Sequence, residues 1–272
     1  MSEETTEPGR VDAGRGLAGR GAVITGGGRG IGAEVARGLA AEGARVVVSA
    51  RSQAEIDAVA AELREGGAEA WAVPCDVADP DAVRALHDQA VERLGAVDVL
   101  INNAGIASSA PLAAIELDEW ERLFAVNVTG TFLCTRAFVP AMVERGWGRV
   151  VNVASIAGRI GAPYISAYAA SKHAVVGFTR AIGAEVAARG VTVNAVCPGY
   201  VDTPMTDRSI ARIVERTGRD AGDTRRFLES ASPQKRLMDP EEVAWLTVRL
   251  CLPDARGINA QAIVLDGGGV QG

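Results

Sequence analysis

The chain has 272 residues, 48% of them hydrophobic, with a net charge of −6 and a pI near 5.2. That length suits one large buried core better than two small ones. The acidic balance opposes a nucleic-acid surface, which needs a concentrated basic face, and no apolar run in the sequence reaches the ~20 residues of a membrane span. In chain order, residues 1–17 are polar, lack the apolar stretch of a secretion signal and read as a disordered tail before a domain at 18–272. Strand-like and helix-like segments then alternate. "GAVIT" (21–25), "RVVVSA" (45–50), "EAWAVPCDV" (69–77), "VDVLINNAG" (97–105), "GRVVNVAS" (148–155), "VTVNAVCPG" (191–199) and "AIVLDGG" (262–268) are short β-branched apolar runs. They predict seven strands buried on both faces. Helical patterns at 32–43, 52–67, 79–95 and 166–190 carry apolar residues at i, i+3, i+4 and i+7. Strict alternation of this kind predicts one α/β domain, a doubly wound parallel sheet with helices on both faces. The segment 202–238 breaks the rhythm: it is polar, charged and long, and reads as a functional loop.

The four cysteines, Cys75, Cys134, Cys197 and Cys251, sit in apolar contexts without metal-ligand spacing, so they read as reduced buried thiols of a cytoplasmic protein, and no metal site is expected. "VITGGGRGIGAEVARGLA" (23–40) runs from a strand through Gly26, Gly30 and Gly32 straight into a helix. Glycines there permit a tight turn and close backbone approach to a pyrophosphate, which the free N–H groups of the helix start attract. The spacing is not that of a P-loop, and no Gly-Lys-Ser/Thr follows.

With these residues in place, the sequence resembles the classical short-chain dehydrogenases/reductases. Thr25 to Gly32 matches the cofactor motif Thr-Gly-x-x-x-Gly-Ile-Gly, and "NNAG" (102–105), "NVTG" (127–130), Ser155, Tyr168-x-x-x-Lys172 and "PGYVDTPM" (198–205) follow in family order. The resemblance implies a Rossmann-type seven-stranded sheet, a nicotinamide cofactor and a homodimer or homotetramer. It also implies roles for Thr25, Gly26, Gly28, Arg29, Gly30, Ile31 and Gly32 around the pyrophosphate. Asp76 and Val77 would hold the adenine, Asn103, Ala104 and Gly105 would line the adenosine side, and Pro198, Gly199, Val201 and Thr203 would surround the nicotinamide.

The chemistry of the Tyr-Lys pair follows from its spacing. Four residues apart on a helix, Tyr168 and Lys172 share a face. An ammonium at about 4–5 Å in an effective dielectric near 20 favours phenolate by roughly 3–4 kcal/mol, two to three pKa units. That predicts Tyr168 as the proton donor in carbonyl reduction, with Ser155 holding the carbonyl oxygen as charge grows on it. The chain has 28 basic residues but only two lysines, Lys172 and Lys235; by the resemblance, Lys172 is kept because its compact ammonium also binds the nicotinamide ribose, and Asn127 fixes a water that relays protons to it.

The position that carries a ribose-binding acid in NAD-dependent folds is Ala50, followed by Arg51 and Ser52, with Arg29 opposite. Two guanidiniums around a 2′-phosphate predict NADP(H). "IASSAPL" (106–112) and "IAGRIGAPYIS" (156–166) give a pocket of small and apolar residues, with 202–238 as its lid. This suits a ketone on an acyl body. The stretch 171–205 resembles the 3-oxoacyl and polyketide ketoreductase branch, which implies a substrate free or carried on acyl carrier protein or CoA, with Arg189 at a carrier contact. Gly146 stands where those enzymes have a second arginine. Two other classes stay open: an NAD-dependent secondary alcohol dehydrogenase, and a non-catalytic dinucleotide sensor on the same fold.

Overall fold

The computed structural model describes residues 16–271. Most of the expected tail lies outside them, but its last residue does not behave as a tail: Leu17 is buried, and its N–H donates to Glu42 O at 3.0 Å. The domain therefore takes in Leu17, because an apolar side chain at that point finds a place in the core.

Seven strands, β1 (Gly21–Thr25), β2 (Arg45–Ala50), β3 (Ala70–Pro74), β4 (Val99–Asn102), β5 (Gly148–Val153), β6 (Val191–Pro198) and β7 (Ala262–Leu265), form one parallel sheet in the order β3-β2-β1-β4-β5-β6-β7. Around it run α1 (Gly30–Ala41), α2 (Gln53–Glu65), α3 (Pro80–Leu94), α4 (Leu117–Phe124), α5 (Gly130–Arg145), α6 (Ser166–Val186), α7 (Pro204–Thr217), α8 (Ala221–Ala231) and α9 (Pro240–Cys251). This is the Rossmann-type doubly wound sheet expected from the alternation. Burial on both faces holds for β1, β4, β5 and β6. It fails at the edges, where β3 and β7 have one neighbour each and stay partly exposed.

Successive side chains of a strand point to opposite faces, and the core divides accordingly. Ala22 and Ile24 join Val35, Leu39, Ile56 and Val248 of α1, α2 and α9, whereas Val23 joins Leu86, Phe138 and Met142 of α3 and α5. Truncating one such leucine, Leu39→Ala for instance, costs about 2–5 kcal/mol. Between α5 and α6 the sheet interior is polar. Asn102 Nδ2 donates to Thr135 Oγ1 at 3.0 Å and to Asn152 Oδ1 at 2.8 Å, and Asn152 Nδ2 donates to Thr179 Oγ1 at 2.8 Å.

The segment expected as a loop at 202–238 is largely two helices, α7 and α8. Pro204 starts the first, and Asp220 caps the second by accepting from the N–H groups of Gly222 and Asp223 at 2.8 and 3.1 Å. Ile210, Leu228 and Leu237 make a small core of their own there. Helices α4 and α5 join through one π-helical turn, Ala125–Thr129. The continuous helix 117–145 is long and apolar enough to cross a membrane by length and composition alone, but half of its apolar window is buried inside the fold.

Candidate active site

The loops after β1 and β4 form two walls of one crevice, and a single hydroxyl ties them together. Thr25 Oγ1 donates to Ile101 O at 3.2 Å and accepts from the N–H groups of Asn103 and Ala104 at 3.1 and 3.2 Å. Asn103 Nδ2 returns the link by donating to Thr25 O and Gly26 O at 3.1 and 2.9 Å. Gly26 has φ +65°, and a Cβ on it would stand 2.8 Å from Ala104 Cα. A Cβ on Gly32 would stand 2.3 Å from Gly26 O. Only glycine lets the backbone turn this tightly against the neighbouring loop. At the start of α1, Arg29 makes no side-chain cap and the first turn holds no acid. Those N–H groups are therefore available to an anion such as a pyrophosphate.

The crevice brings together Gly26, Gly28, Arg29, Gly30 and Ile31 of the first wall, Ala50, Arg51 and Ser52 after β2, and Asp76 and Val77 after β3. Asn103, Ala104 and Gly105 after β4 complete it, with Thr203 above the glycine loop. Thr25 and Gly32 lie behind the surface as its supports. Pro198, Gly199 and Val201 do not line this crevice: Pro198 ends β6, Gly199 packs on Asp266, and Val201 O accepts from Thr206 Oγ1 at 2.5 Å. Asp76 Oδ1 accepts from Ala78 N at 3.0 Å, and Oδ2 lies 3.9 Å from Arg51 Nη1. The sequence reading missed Glu55, Met205 and Arg208, which also line the crevice. Glu55 changes the expected electrostatics, because its Oε1 sits 2.5 Å from Arg29 Nη1. One of the two arginines expected to face a phosphate is thus already paired with a carboxylate.

Ser155, Tyr168, Lys172 and Asn127 gather beyond Gly105. Ser155 lies two residues past the end of β5 and caps a short helical turn, its Oγ accepting from Ala157 N at 3.1 Å, and it is hydrogen-bonded to the Tyr168 phenol. Lys172, one turn after Tyr168 on α6, is buried; its Nζ lies 5.9 Å from the Tyr168 ring centre and donates to Val153 O at 2.8 Å. Asn127 lies in the π-turn, a frequent device at functional sites. Its Oδ1 accepts from Ile106 N at 2.9 Å, and its Nδ2 donates to Ile106 O at 2.9 Å and to Ser171 Oγ at 3.0 Å. A Cβ on Gly105 would stand 3.3 Å from Asn127 Oδ1 and 3.6 Å from Lys172 Nζ. The dinucleotide wall and the acid–base set therefore meet at Gly105.

One sequence expectation reverses. Burial pushes the Tyr168 phenol up to about 12, against a lowering by the Ser155 hydrogen bond. Burial likewise pushes Lys172 down to about 8. Desolvation is the largest cause for both groups, and the ammonium is turned onto Val153 O.

Over the mouth, Arg212 Nη2 of α7 donates to Ala107 O at 2.9 Å, and Arg216 donates to Ser109 O. Across from them Tyr164 is 66% exposed and held at φ +68°. Its carbonyl accepts from Ala110 N at 2.7 Å.

The family model described as short chain dehydrogenase matches residues 20–213. A putative ketoacyl reductase of Streptomyces coelicolor is 42% identical over 252 residues, covering 91% of this chain and 95% of that protein. A 3-oxoacyl-[acyl-carrier-protein] reductase of Synechocystis sp. is 40% identical over 250 residues, with coverage of 91% and 95%. Among solved structures, an actinorhodin polyketide ketoreductase variant with NADPH aligns with a TM-score of 0.88 at 41% identity, over 91% of this chain and 96% of the other.

Proposed function

Because the chain belongs to the short-chain dehydrogenase family, we propose that it is an NADPH-dependent ketoreductase that interconverts a ketone and a secondary alcohol on a 3-oxoacyl or polyketide-like substrate. The observation that carries this reading is the Ser155–Tyr168–Lys172 set meeting the dinucleotide crevice at Gly105. The names of the relatives give the substrate class, and the small and apolar segments at 106–112 and 156–166 suit an acyl body.

The crevice fits a dinucleotide: the uncapped start of α1 and the glycine loop would hold the pyrophosphate, Asp76 and Val77 the adenine, and Arg29, Arg51 and Ser52 a 2′-phosphate. A bound nicotinamide supplies the hydride. The protein's own part is the proton and the charge. With its pKa pushed up to about 12, Tyr168 holds its proton throughout the neutral range and has it ready for the carbonyl oxygen. Ser155 positions that oxygen by a hydrogen bond that strengthens as negative charge develops. Lys172, still mostly protonated at neutral pH with its pKa about 8, stabilises the phenolate left behind. Asn127 acts as a positioning residue, joining the loop at Ile106 to α6 through Ser171. The protein works in the cytoplasm as a homodimer or homotetramer, on a free or carrier-bound substrate, with α7 and α8 as the lid.

A panel of 3-oxoacyl thioesters, cyclic ketones and simple alcohols, assayed with both nicotinamides by absorbance of the reduced cofactor, tests the proposal. Reduction of the thioesters with NADPH is expected. Turnover confined to simple alcohols with NAD would overturn it.

A further inference from the structure

The arginines of the lid helices are nearly all engaged. Arg212 and Arg216 bond the carbonyls of Ala107 and Ser109, Arg225 pairs with Asp202 and Glu229, and Arg226 pairs with Asp223. Arg219 lies over the Phe227 ring. Arg208 differs. Among the described residues no hydrogen bond or ion pair holds its guanidinium, and it lines the dinucleotide crevice with Arg29, Ser52 and Glu55.

Its placement follows from the helix. Pro204, Met205 and Arg208, at i, i+1 and i+4, form one face of α7, and all three line the crevice. The residue before the helix, Thr203, is set against the glycine loop: its Cγ2 would be 3.2 Å from a Cβ on Gly30. So the start of α7 is seated on the loop that receives the pyrophosphate, and Arg208 extends from the next turn. Two acids share the rim with three cations. Glu55 is held by Arg29 at 2.5 Å and Asp76 lies 3.9 Å from Arg51, which leaves Arg208, among the described residues, as the rim arginine without an ion pair. Partial burial, with the like charges of Arg29 and Arg212, outweighs the attraction of Glu55 and Asp207 and holds its guanidinium below the ordinary arginine range. A phosphate in the crevice would give it the hydrogen-bonding anion that neither rim acid supplies.

We propose that Arg208 is a phosphate ligand of the dinucleotide, carried into the site by α7, so that cofactor phosphate fixes the lid helix over the crevice. This rests on the reading of the crevice as a nicotinamide dinucleotide site. Glu55 opposes the same ligand, since a phosphate must compete with its carboxylate for Arg29.

Calorimetric titration of the full chain with NADP⁺, 2′,5′-ADP and 5′-ADP tests the assignment in the wild type, Arg208→Gln, Arg208→Lys and Glu55→Gln. Arg208→Gln should weaken NADP⁺ binding about tenfold, Arg208→Lys should retain most of it, and Glu55→Gln should tighten it. Weakening of 2′,5′-ADP with 5′-ADP unchanged places Arg208 on the 2′-phosphate; weakening of both places it on the pyrophosphate. Amide exchange over 204–217 should slow when NADP⁺ binds the wild type and not when it binds Arg208→Gln at saturation. Wild-type binding of NADP⁺ with equal affinity and equal protection in Arg208→Gln would overturn the proposal alone. A wild type that binds none of the three nucleotides would overturn the dinucleotide reading with it.

Discussion

Asn127→Ala separates a positioning residue from a participant in proton transfer. The side chain is 1% exposed and makes three hydrogen bonds, two of them to the N–H and C=O of Ile106 and one to Ser171. Truncation removes all three, leaves both backbone groups of Ile106 without their partner and opens a small gap in the π-turn. With net values of about 0.5–1.5 kcal/mol per bond, and more where a polar group is left unsatisfied, the loss is about 3 kcal/mol. For a domain of this size that lowers Tm by roughly 6–10 °C. Thermal unfolding followed by circular dichroism measures it, beside kcat and KM on the same samples. The variant should lose stability and activity together, and amide exchange at Ile106 should rise. If kcat collapses while Tm and exchange at Ile106 stay at wild-type values, the residue acts on a proton path and the positioning argument is wrong.

Tyr168→Phe should lower turnover at least ~10³-fold with cofactor affinity nearly unchanged, since only the proton donor is lost; near-normal turnover would remove Tyr168 from the mechanism. Lys172 also sets a pH signature. Its folded pKa of about 8 lies below the ordinary 10.5, so between those values the unfolded chain binds the extra proton and this group's contribution to stability rises with pH. Buried Cys75, Cys134, Cys251 and Tyr168, all raised, pull the other way above about pH 9, so the Lys172 contribution is read as a difference: in urea titrations from pH 7.5 to 10 the stability of the wild type minus that of Lys172→Met should rise with pH, and a flat difference would refute it. The double variant Ala50→Asp, Arg51→Ala should lose or reverse a preference for NADPH over NADH of about tenfold or more, because a carboxylate at that position bonds a ribose hydroxyl and repels a phosphate. Steady-state kinetics with both cofactors decides it, and an unchanged ratio would shift discrimination to Arg29 and Arg208.

All seven strands were legible because each is a short β-branched run closed by glycine, proline or a polar cluster. The crevice was legible for a related reason. Gly26 and Gly32 stand where a Cβ would meet backbone, which fixes their identity to the geometry. Other features had no local signature. Helices α7 and α8 hide in a charged segment whose apolar residues Ile210, Val214 and Leu228 are covered only once the two helices meet each other and Leu237 beyond them. Glu55 and Arg208 reach the crevice from different helices, and nothing in their neighbouring residues marks that convergence. The direction of the Tyr168 shift was misread because a pairwise distance can be guessed from i, i+4 spacing, whereas desolvation depends on the whole surrounding fold.

The polar contacts running from Thr135 through Asn102 and Asn152 to Thr179 have a consequence for how the chain finds one arrangement. A parallel sheet made of valine and isoleucine runs could pair its central strands out of step with little loss of apolar contact. Here Asn102 must lie beside Asn152 for the amides to meet. A slip of one residue would turn one amide to the opposite face and strand both in an apolar interior, at a cost of several kcal/mol. The four side chains work as an alignment key: they admit the register that brings the ends of β4 and β5, and with them Asn103 and Ser155, to the same level above the sheet.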